Sequence, residues 1–390
     1  MNKHVLSALR REAREAPDSG IVEVFNYGRG REGLIPLWAG EGDLPTPAFI
    51  CEAAARSLAA GETFYTYQRG LPELRAALAR YHARHFGRDF PAERFFVTGG
   101  GMQAIQIAIA ATAGTGDEMI LLTPAWPNFA GAAGIAGARP VAVPLDFDGA
   151  HWHLDFDRLR AAINAKTRAM FINSPSNPTG WTATEADLRE ILELARSRGL
   201  WIIADEVYSR FVFGDAERAP SFYDLIEEDD RVIFVNTFSK NWAMTGWRIG
   251  WLAAPAMLGG VIENLIQYST SGVAAFMQRG AIAAVEEGED FLRMQIARAA
   301  AGRKIVWAGL AGSNRVRFAW PDGAFYLFFT ISGATDTGKL GLTLVDEANI
   351  GIAPGTAFGP GGEAFMRLCF LRNADDLSEA TRRLRAWLGS

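Results

Sequence analysis

Lys240 falls in the stretch NTFSKNWAMTGWRIGWLAAP, residues 236–255, after a β-like run (VIFVNTF) and before a loop that ends on Arg248. A second apolar run, IGWLAAP, follows the arginine. A half-buried lysine usually has a carboxylate partner, and this stretch supplies none. Four other groups with chemical potential share the same kind of position, just past an apolar run. GGGMQA follows FFVT and opens a helix, so free backbone N–H groups and a positive dipole end gather there as an anion site. PAWPNF follows MILLT and brings Trp126; SPSNPTG follows RAMFIN and brings Asn177, held before a proline that restricts its backbone. The run LWIIA ends in Asp205, Glu206 and Tyr208, and an aspartate closing an apolar strand is costly unless a cation meets it. Each feature alone also fits a plain turn, a core tryptophan, a cap or a solvated lysine.

The elements that must position these groups are strands and helices in alternation. Apolar runs at 95–99, 119–124, 139–145, 168–175, 200–207 and 232–238 are nearly continuous, as expected for parallel strands covered on both faces. Helical patterns lie between them, at 102–113 and at 184–199, the latter opened by an N-cap signal at Thr184 and closed at Gly199. This succession predicts an α/β domain with a mostly parallel sheet. Beyond residue 255 an Ala-rich helical region runs over about 273–312, interrupted near Gly288 by acidic residues. The last stretch mixes short strands (GAFYLFFTI, AFMRLCFLR) with an amphipathic closing helix, LSEATRRLRAWL, which predicts a second, smaller α+β domain.

Composition narrows the function. The chain has 390 residues, 49% hydrophobic and 21% charged, enough for a sizeable core and a two-domain globular protein. A net charge of −5 gives no footprint for nucleic acid. No apolar run approaches the roughly 18 residues of a membrane span, and the charged N-terminus does not read as a secretory signal, so a cytoplasmic protein is expected. Two cysteines, Cys51 and Cys369, are too few for a disulfide framework and lack metal-ligand spacing. No metal is expected, and both thiols are expected to be buried.

In a parallel α/β sheet, ligands bind beyond the carboxyl ends of the strands, and all five groups belong to that rim. Together they describe one ligand. Its anionic group meets the helix end at Gly101, the hydroxyls of Thr237 and Ser239, and Arg248. Its flat ring meets Trp126, a ring cation meets Asp205, a ring oxygen meets Asn177 and Tyr208, and an aldehyde meets Lys240. Pyridoxal phosphate has all of these features, and its carbonyl accounts for a lysine with no carboxylate partner, because the amine is held as an imine.

With GEGDLPTP (40–47), YTYQRGLPELRAAL (65–78), TGGGMQA, PAWPN, NSPSNPTG, DEVYS, TFSKNWAMTGWRIG and PDGAFY (321–326), the chain resembles the class I/II aminotransferases of the aspartate aminotransferase superfamily. These are pyridoxal-phosphate enzymes of fold type I, and the motifs span most of the chain. The resemblance implies a large cofactor-binding domain over 46–285, built on a mostly parallel seven-stranded sheet, and a small domain from 1–45 and 286–390. It implies transfer of an amino group from an L-amino acid to a 2-oxo acid, through an internal aldimine, an external aldimine and pyridoxamine phosphate.

Residue by residue, it implies that Lys240 forms the internal imine and then acts as general base, and that Asp205 keeps the ring nitrogen protonated. Asn177 and Tyr208 would bond the phenolic oxygen, and Trp126 would stack on the ring. The backbone at Gly101 and Met102, with Thr237, Ser239 and Arg248, would hold the phosphate. Arg367, rather than the nearby Arg372, would take the substrate carboxylate, helped by Gly40, Trp126 and Asn177; the family's R-L-S step is here R-L-C. Tyr65 would reach the phosphate of a neighbouring subunit, which implies a homodimer with shared sites. The Thr123–Pro124 and Asn177–Pro178 peptides are expected to be cis. Met102 stands at about the place where one prokaryotic branch of aspartate aminotransferases carries a basic residue for acidic side chains, and Trp38, Trp126 and Phe25 suit apolar ones. A β-lyase using the same residues is the alternative reading, and a non-catalytic pyridoxal-phosphate sensor a remote one.

Overall fold

The computed structural model describes residues 3–389. Seven strands form the central sheet: β1 (Phe95–Thr98), β2 (Glu118–Thr123), β3 (Arg139–Pro144), β4 (Thr167–Asn173), β5 (Trp201–Asp205), β6 (Val232–Thr237) and β7 (Gly250–Ala253). Their spatial order is β1-β7-β6-β5-β4-β2-β3, with only β7 antiparallel to its neighbours. Strands β1, β2, β6 and β7 are buried throughout, and β4 and β5 at all but one position each. That is why their sequences are continuous apolar runs rather than alternating ones. The edge strand β3 is largely half-buried.

The helices that matter for the site are α1 (Gly20–Gly28), α2 (Gly101–Thr112), α3 (Pro127–Ile135), α4 (Glu185–Arg198), α5 (Ala275–Glu287), α6 (Glu289–Leu310) and α7 (Ala374–Leu388). The N-cap expected at Thr184 is present as a capping box with Asp187, and Gly199 closes α4 in the left-handed region at φ 64°. Gly288 divides the Ala-rich region into α5 and α6, within its acidic interruption. A second sheet, antiparallel, has the order β8-β9-β11-β10, with β8 (Val316–Phe318), β9 (Tyr326–Ile331), β10 (Ala353–Pro354) and β11 (Phe365–Cys369). The chain's first strand, Ile35–Pro36, pairs in parallel with Ile350–Gly351, which ties the N-terminal segment to the C-terminal one.

Register brings the strand ends together. Asn173 lies opposite Asp205, and Gly250 lies between Thr98 and Thr237. The closeness of these ends depends on Gly250, where an added Cβ would stand 2.7 Å from the Asn236 carbonyl oxygen and 2.9 Å from the Gly100 carbonyl carbon. Gly100, at φ 88°, turns the chain from β1 into α2 in a conformation that residues with side chains rarely adopt. Both expected cis peptides are cis, and so is Ser174–Pro175.

One expectation fails. Cys369 is buried, but Cys51 is exposed, because its helix, Ala48–Ala59, buries Ile50, Ala54 and Ser57 and turns position 51 outward. Among the described residues no helix is long and apolar enough to cross a membrane.

Gly250→Ala is expected to lower the unfolding free energy by about 1–3 kcal/mol, because the methyl group meets backbone that has no room to retreat. Gly246→Ala, where an added Cβ meets nothing within 4 Å, is expected to stay within roughly 0.5 kcal/mol of the parent. Denaturant titration of the two variants beside the parent checks both.

Candidate active site

A cavity of about 400 Å³ opens where the strand ends meet the second sheet. Lys240 reaches it from the single helical turn Phe238–Asn241 that follows β6. Its amine donates to the Gly40 carbonyl at 2.7 Å and forms no ion pair among the described residues. Burial lowers its pKa to about 8, so a neutral minority of roughly a tenth exists at pH 7. Asp205 ends β5 and is 3% exposed; its carboxylate accepts only the Val207 N–H, at 3.3 Å, among the described residues. Burial raises its pKa to about 7. An acid and an amine thus share one cavity, and each is pushed by desolvation toward its neutral form.

The adjacent Glu206 follows a different course. Strand alternation turns it away from the cavity, and the Ser221 hydroxyl donates to its two oxygens, at 2.8 and 2.7 Å, with the Phe222 N–H at 3.3 Å. Burial raises its pKa to about 8, and its role is in the core.

An anion-binding corner is built at the N-terminus of α2. Gly101 and Met102 line the cavity there with Thr237, Ser239 and Arg248. The Thr237 hydroxyl lies 2.9 Å from that of Ser239 and accepts the Ser239 N–H at 3.2 Å. Arg248 has φ 53°, uncommon for a residue with a side chain, and its Nη1 donates to the Thr245 carbonyl at 2.7 Å. It pairs with no carboxylate among the described residues, so its charge is available to an anion.

Across the cavity, Arg367 of β11 is 2% exposed. Its Nη1 donates to Asn177 Oδ1 at 3.0 Å, its Nη2 donates to the Trp38 carbonyl, and its buried Nε has no partner among the described residues. No carboxylate of the described residues pairs with this guanidinium, which suits it to the carboxylate of a small molecule. Arg372 is not among the residues that line the cavity. The Asn177 N–H donates to Asn173 Oδ1 at 2.8 Å, which fixes the loop after β4.

The residues singled out in the sequence converge on this one cavity: Gly40, Gly101, Met102, Trp126, Asn177, Asp205, Tyr208, Thr237, Ser239, Lys240, Arg248 and Arg367 all line it. Tyr65 does not; it is 95% exposed on the surface. Sequence reasoning misses one residue. Tyr326, the last residue of PDGAFY and first of β9, has its hydroxyl 2.7 Å from that of Tyr208, and its ring centre lies 4.6 Å from the Arg367 guanidinium carbon. A Cβ on Gly40 would stand 2.5 Å from the Tyr326 hydroxyl, so the glycine leaves room for it. The only signal is a lone tyrosine in a run of phenylalanines, which reads as core.

The donor set fits pyridoxal phosphate: a helix N-terminus, two hydroxyls and a free guanidinium for a phosphate, and a buried carboxylate with no cation for a protonated ring nitrogen. The carboxylates at 205 and 206 also set a pH dependence. Both pKa values lie above those of an unfolded chain, so the folded, cofactor-free protein binds more protons than the unfolded one. Their contribution to stability is full below about pH 4 and is lost as pH rises through about 7 to 8. Asp205→Asn is therefore expected to raise the melting temperature of the cofactor-free protein at pH 8 by about 2 °C or more, with little change at pH 4. Thermal melts at the two pH values check this.

Comparison with known proteins agrees with the geometry. The family model for aminotransferase class I and II matches residues 32–384. An aspartate aminotransferase of Pyrococcus horikoshii is 34% identical over 369 residues, covering 94% of this chain and 93% of the relative. Aromatic-amino-acid aminotransferase 2 of Thermococcus litoralis is 35% identical over 378 residues, covering 94% of each chain. Among solved structures, an aspartate aminotransferase of Thermotoga maritima superposes with a TM-score of 0.90 at 32% identity, over 98% of this chain and 100% of that one.

Proposed function

The chain belongs to the class I and II aminotransferases and is a pyridoxal-phosphate-dependent transferase acting on an amino acid and a 2-oxo acid; from that premise we propose how its own residues divide the work. The observation that carries the proposal is the pair formed by Lys240 and Asp205, two buried ionisable groups in one cavity, neither of them neutralised by a partner. When bound, the cofactor supplies an aldehyde carbon and an electron-poor ring able to take up the electron pair left when a Cα–H bond breaks.

Lys240 would hold the aldehyde in the resting enzyme and afterwards move the proton away from Cα, a role that fits an amine whose pKa is lowered to about 8. Asp205 would keep a proton on the ring nitrogen, and its carboxylate would gain there the cation that the protein withholds. Tyr208 and Asn177 donate to the ring oxygen, with Tyr326 holding the Tyr208 hydroxyl in place. Trp126 would stack on the ring, and Gly101, Met102, Thr237, Ser239 and Arg248 would hold the phosphate. Arg367, with the backbone of Gly40, orients the substrate carboxylate, so that the Cα–H bond faces Lys240.

We also propose a large domain over 46–285 and a small one from 1–45 and 286–390, a division supported by the pairing of Ile35–Pro36 with Ile350–Gly351. A homodimer is the reading that best accounts for the exposed aromatic residues Phe64, Tyr65, Tyr67 and Tyr268, which are 84%, 95%, 64% and 88% exposed. In it Tyr65 would reach the phosphate of the neighbouring subunit.

The test is the visible absorption of the purified protein with added cofactor, titrated with amino acids and then with 2-oxo acids. The band of lysine-bound cofactor is expected to give way on addition of a suitable amino acid and to return with a 2-oxo acid. Ammonia release without that exchange would indicate a lyase, and no band at all would overturn the roles of Lys240 and Asp205. Lys240→Ala is expected to abolish the band, and Asp205→Asn to lower turnover about 100- to 1,000-fold while the band persists. Tyr326→Phe is expected to raise the pH at which the band titrates by roughly half a unit to one unit, because Tyr208 loses its support.

A further inference from the structure

The side chain of the substrate meets a wall whose charges can be counted. Among the described residues, the cavity is lined by three cations, Lys240, Arg248 and Arg367, and two anions, Glu41 and Asp205. In the proposed function every one of those cations already has a task, Lys240 with the aldehyde and then with the Cα proton, Arg248 with the phosphate and Arg367 with the α-carboxylate. None remains for a second carboxylate on the substrate. The rest of the wall toward α1 and α2 is apolar, with Ile21, Trp38, Met102 and Ile105, and Trp38 is braced by Phe25 at a ring separation of 5.6 Å.

The cavity continues outward. Met102 and Asn128 also line an adjoining groove of about 790 Å³ between the segment before α1, helix α3 and residues 356–360. Its walls include Pro17, Leu121, Ile135 and Phe358, and its only charged lining residues among those described are Asp18 and Glu23. Both carry the sign that repels a carboxylate. A cation that touches this wall from outside, Arg10, donates to the Ile135 carbonyl and pairs with Glu12 at 3.4 Å.

The segments carrying the exposed aromatic residues that the proposed dimer would cover are equally poor in free cations. Residues 60–72, around Tyr65, contain one cation, Arg69, and it is held by Glu263 at 2.8 Å. Residues 264–274, around the exposed Tyr268, contain none.

We propose that this site takes amino acids and 2-oxo acids with neutral, apolar side chains, of about the size of leucine, methionine or phenylalanine, and disfavours those with an acidic side chain. The proposal rests on the aminotransferase reading, and because one site serves both half-reactions it applies to donor and acceptor alike. A carboxylate desolvated against Met102, Ile105 and Trp38 would have no partner, whereas an apolar side chain gains from the same wall. Along the groove, Asp18 and Glu23 add repulsion.

The experiment uses the cofactor-loaded enzyme and two readouts. Calorimetry compares unreactive analogues: 3-phenylpropionate and 4-methylvalerate against succinate and maleate. The monocarboxylates are expected to bind at least about tenfold more tightly, and kcat/KM for phenylalanine or leucine to exceed that for aspartate or glutamate by roughly 100-fold. Met102→Lys, which places a cation where cavity and groove meet, is expected to narrow both ratios by about tenfold. Dicarboxylates that bind as tightly as the monocarboxylates, with aspartate or glutamate the better donor, overturn the proposal and leave the aminotransferase reading intact. If no amino acid in the panel converts the cofactor, the aminotransferase reading fails, and the analogue affinities still decide the side-chain preference.

Discussion

Desolvation of Lys240 and Asp205 is the constraint on which the site depends. Water would hold both groups charged; burial moves the amine down to about 8 and the carboxylic acid up to about 7, so both titrate close to neutral pH. The protein leaves each without a full partner, although a direct ion pair would lower the energy of the empty fold. Keeping them apart requires rigid placement, and the sheet provides it. Asp205 is fixed by strand pairing to β4 and β6, and Lys240 by a turn capped through Thr237 and anchored on Gly40.

The second sheet enters the site through Tyr326 and Arg367. The Tyr208–Tyr326 hydroxyl pair joins the turn after β5 to β9, and Arg367 joins β11 to Asn177 after β4. Each contact is buried, where a hydrogen bond is electrostatically stronger and an unmade one costs more. The aromatic face of Tyr326 also carries Arg367 above it, so the groups that would meet the ring oxygen and the carboxylate share one support.

Much of this is legible in the sequence, because continuous apolar runs announce parallel strands and the residues just past them must lie at one rim. Asp205, Asn177, Lys240 and Arg248 are found that way. Neighbours in the chain are harder to separate. Asp205 and Glu206 look alike in sequence, and only the pleat of β5, with Ser221 waiting on the other face, assigns one to the cavity and the other to the core. Tyr326 escapes notice because its run, AFYLFFTI, is apolar almost throughout, and its hydroxyl acquires meaning only from the antiparallel pairing that sets β9 beside β11. Cys51 is misplaced because residue type alone favours burial, while the helix Ala48–Ala59 buries a different stripe. Tyr65 lies on the surface of a single chain, and nothing within that chain gives it a partner in the cavity.

The two halves of the site are written in different parts of the chain. Among the residues of one chain that line the cavity, those proposed to meet the phosphate and the ring fall between residues 101 and 248, while Gly40, Tyr326 and Arg367 come from the flanking segments. Most of the reactive machinery and the arginine for the acid are thus carried by different parts of the chain, with Asn177 and Tyr326 as the links between them. A change at Arg367 or Gly40 acts first on which acids are admitted, whereas a change at Lys240 or Asp205 alters the chemistry for every substrate at once.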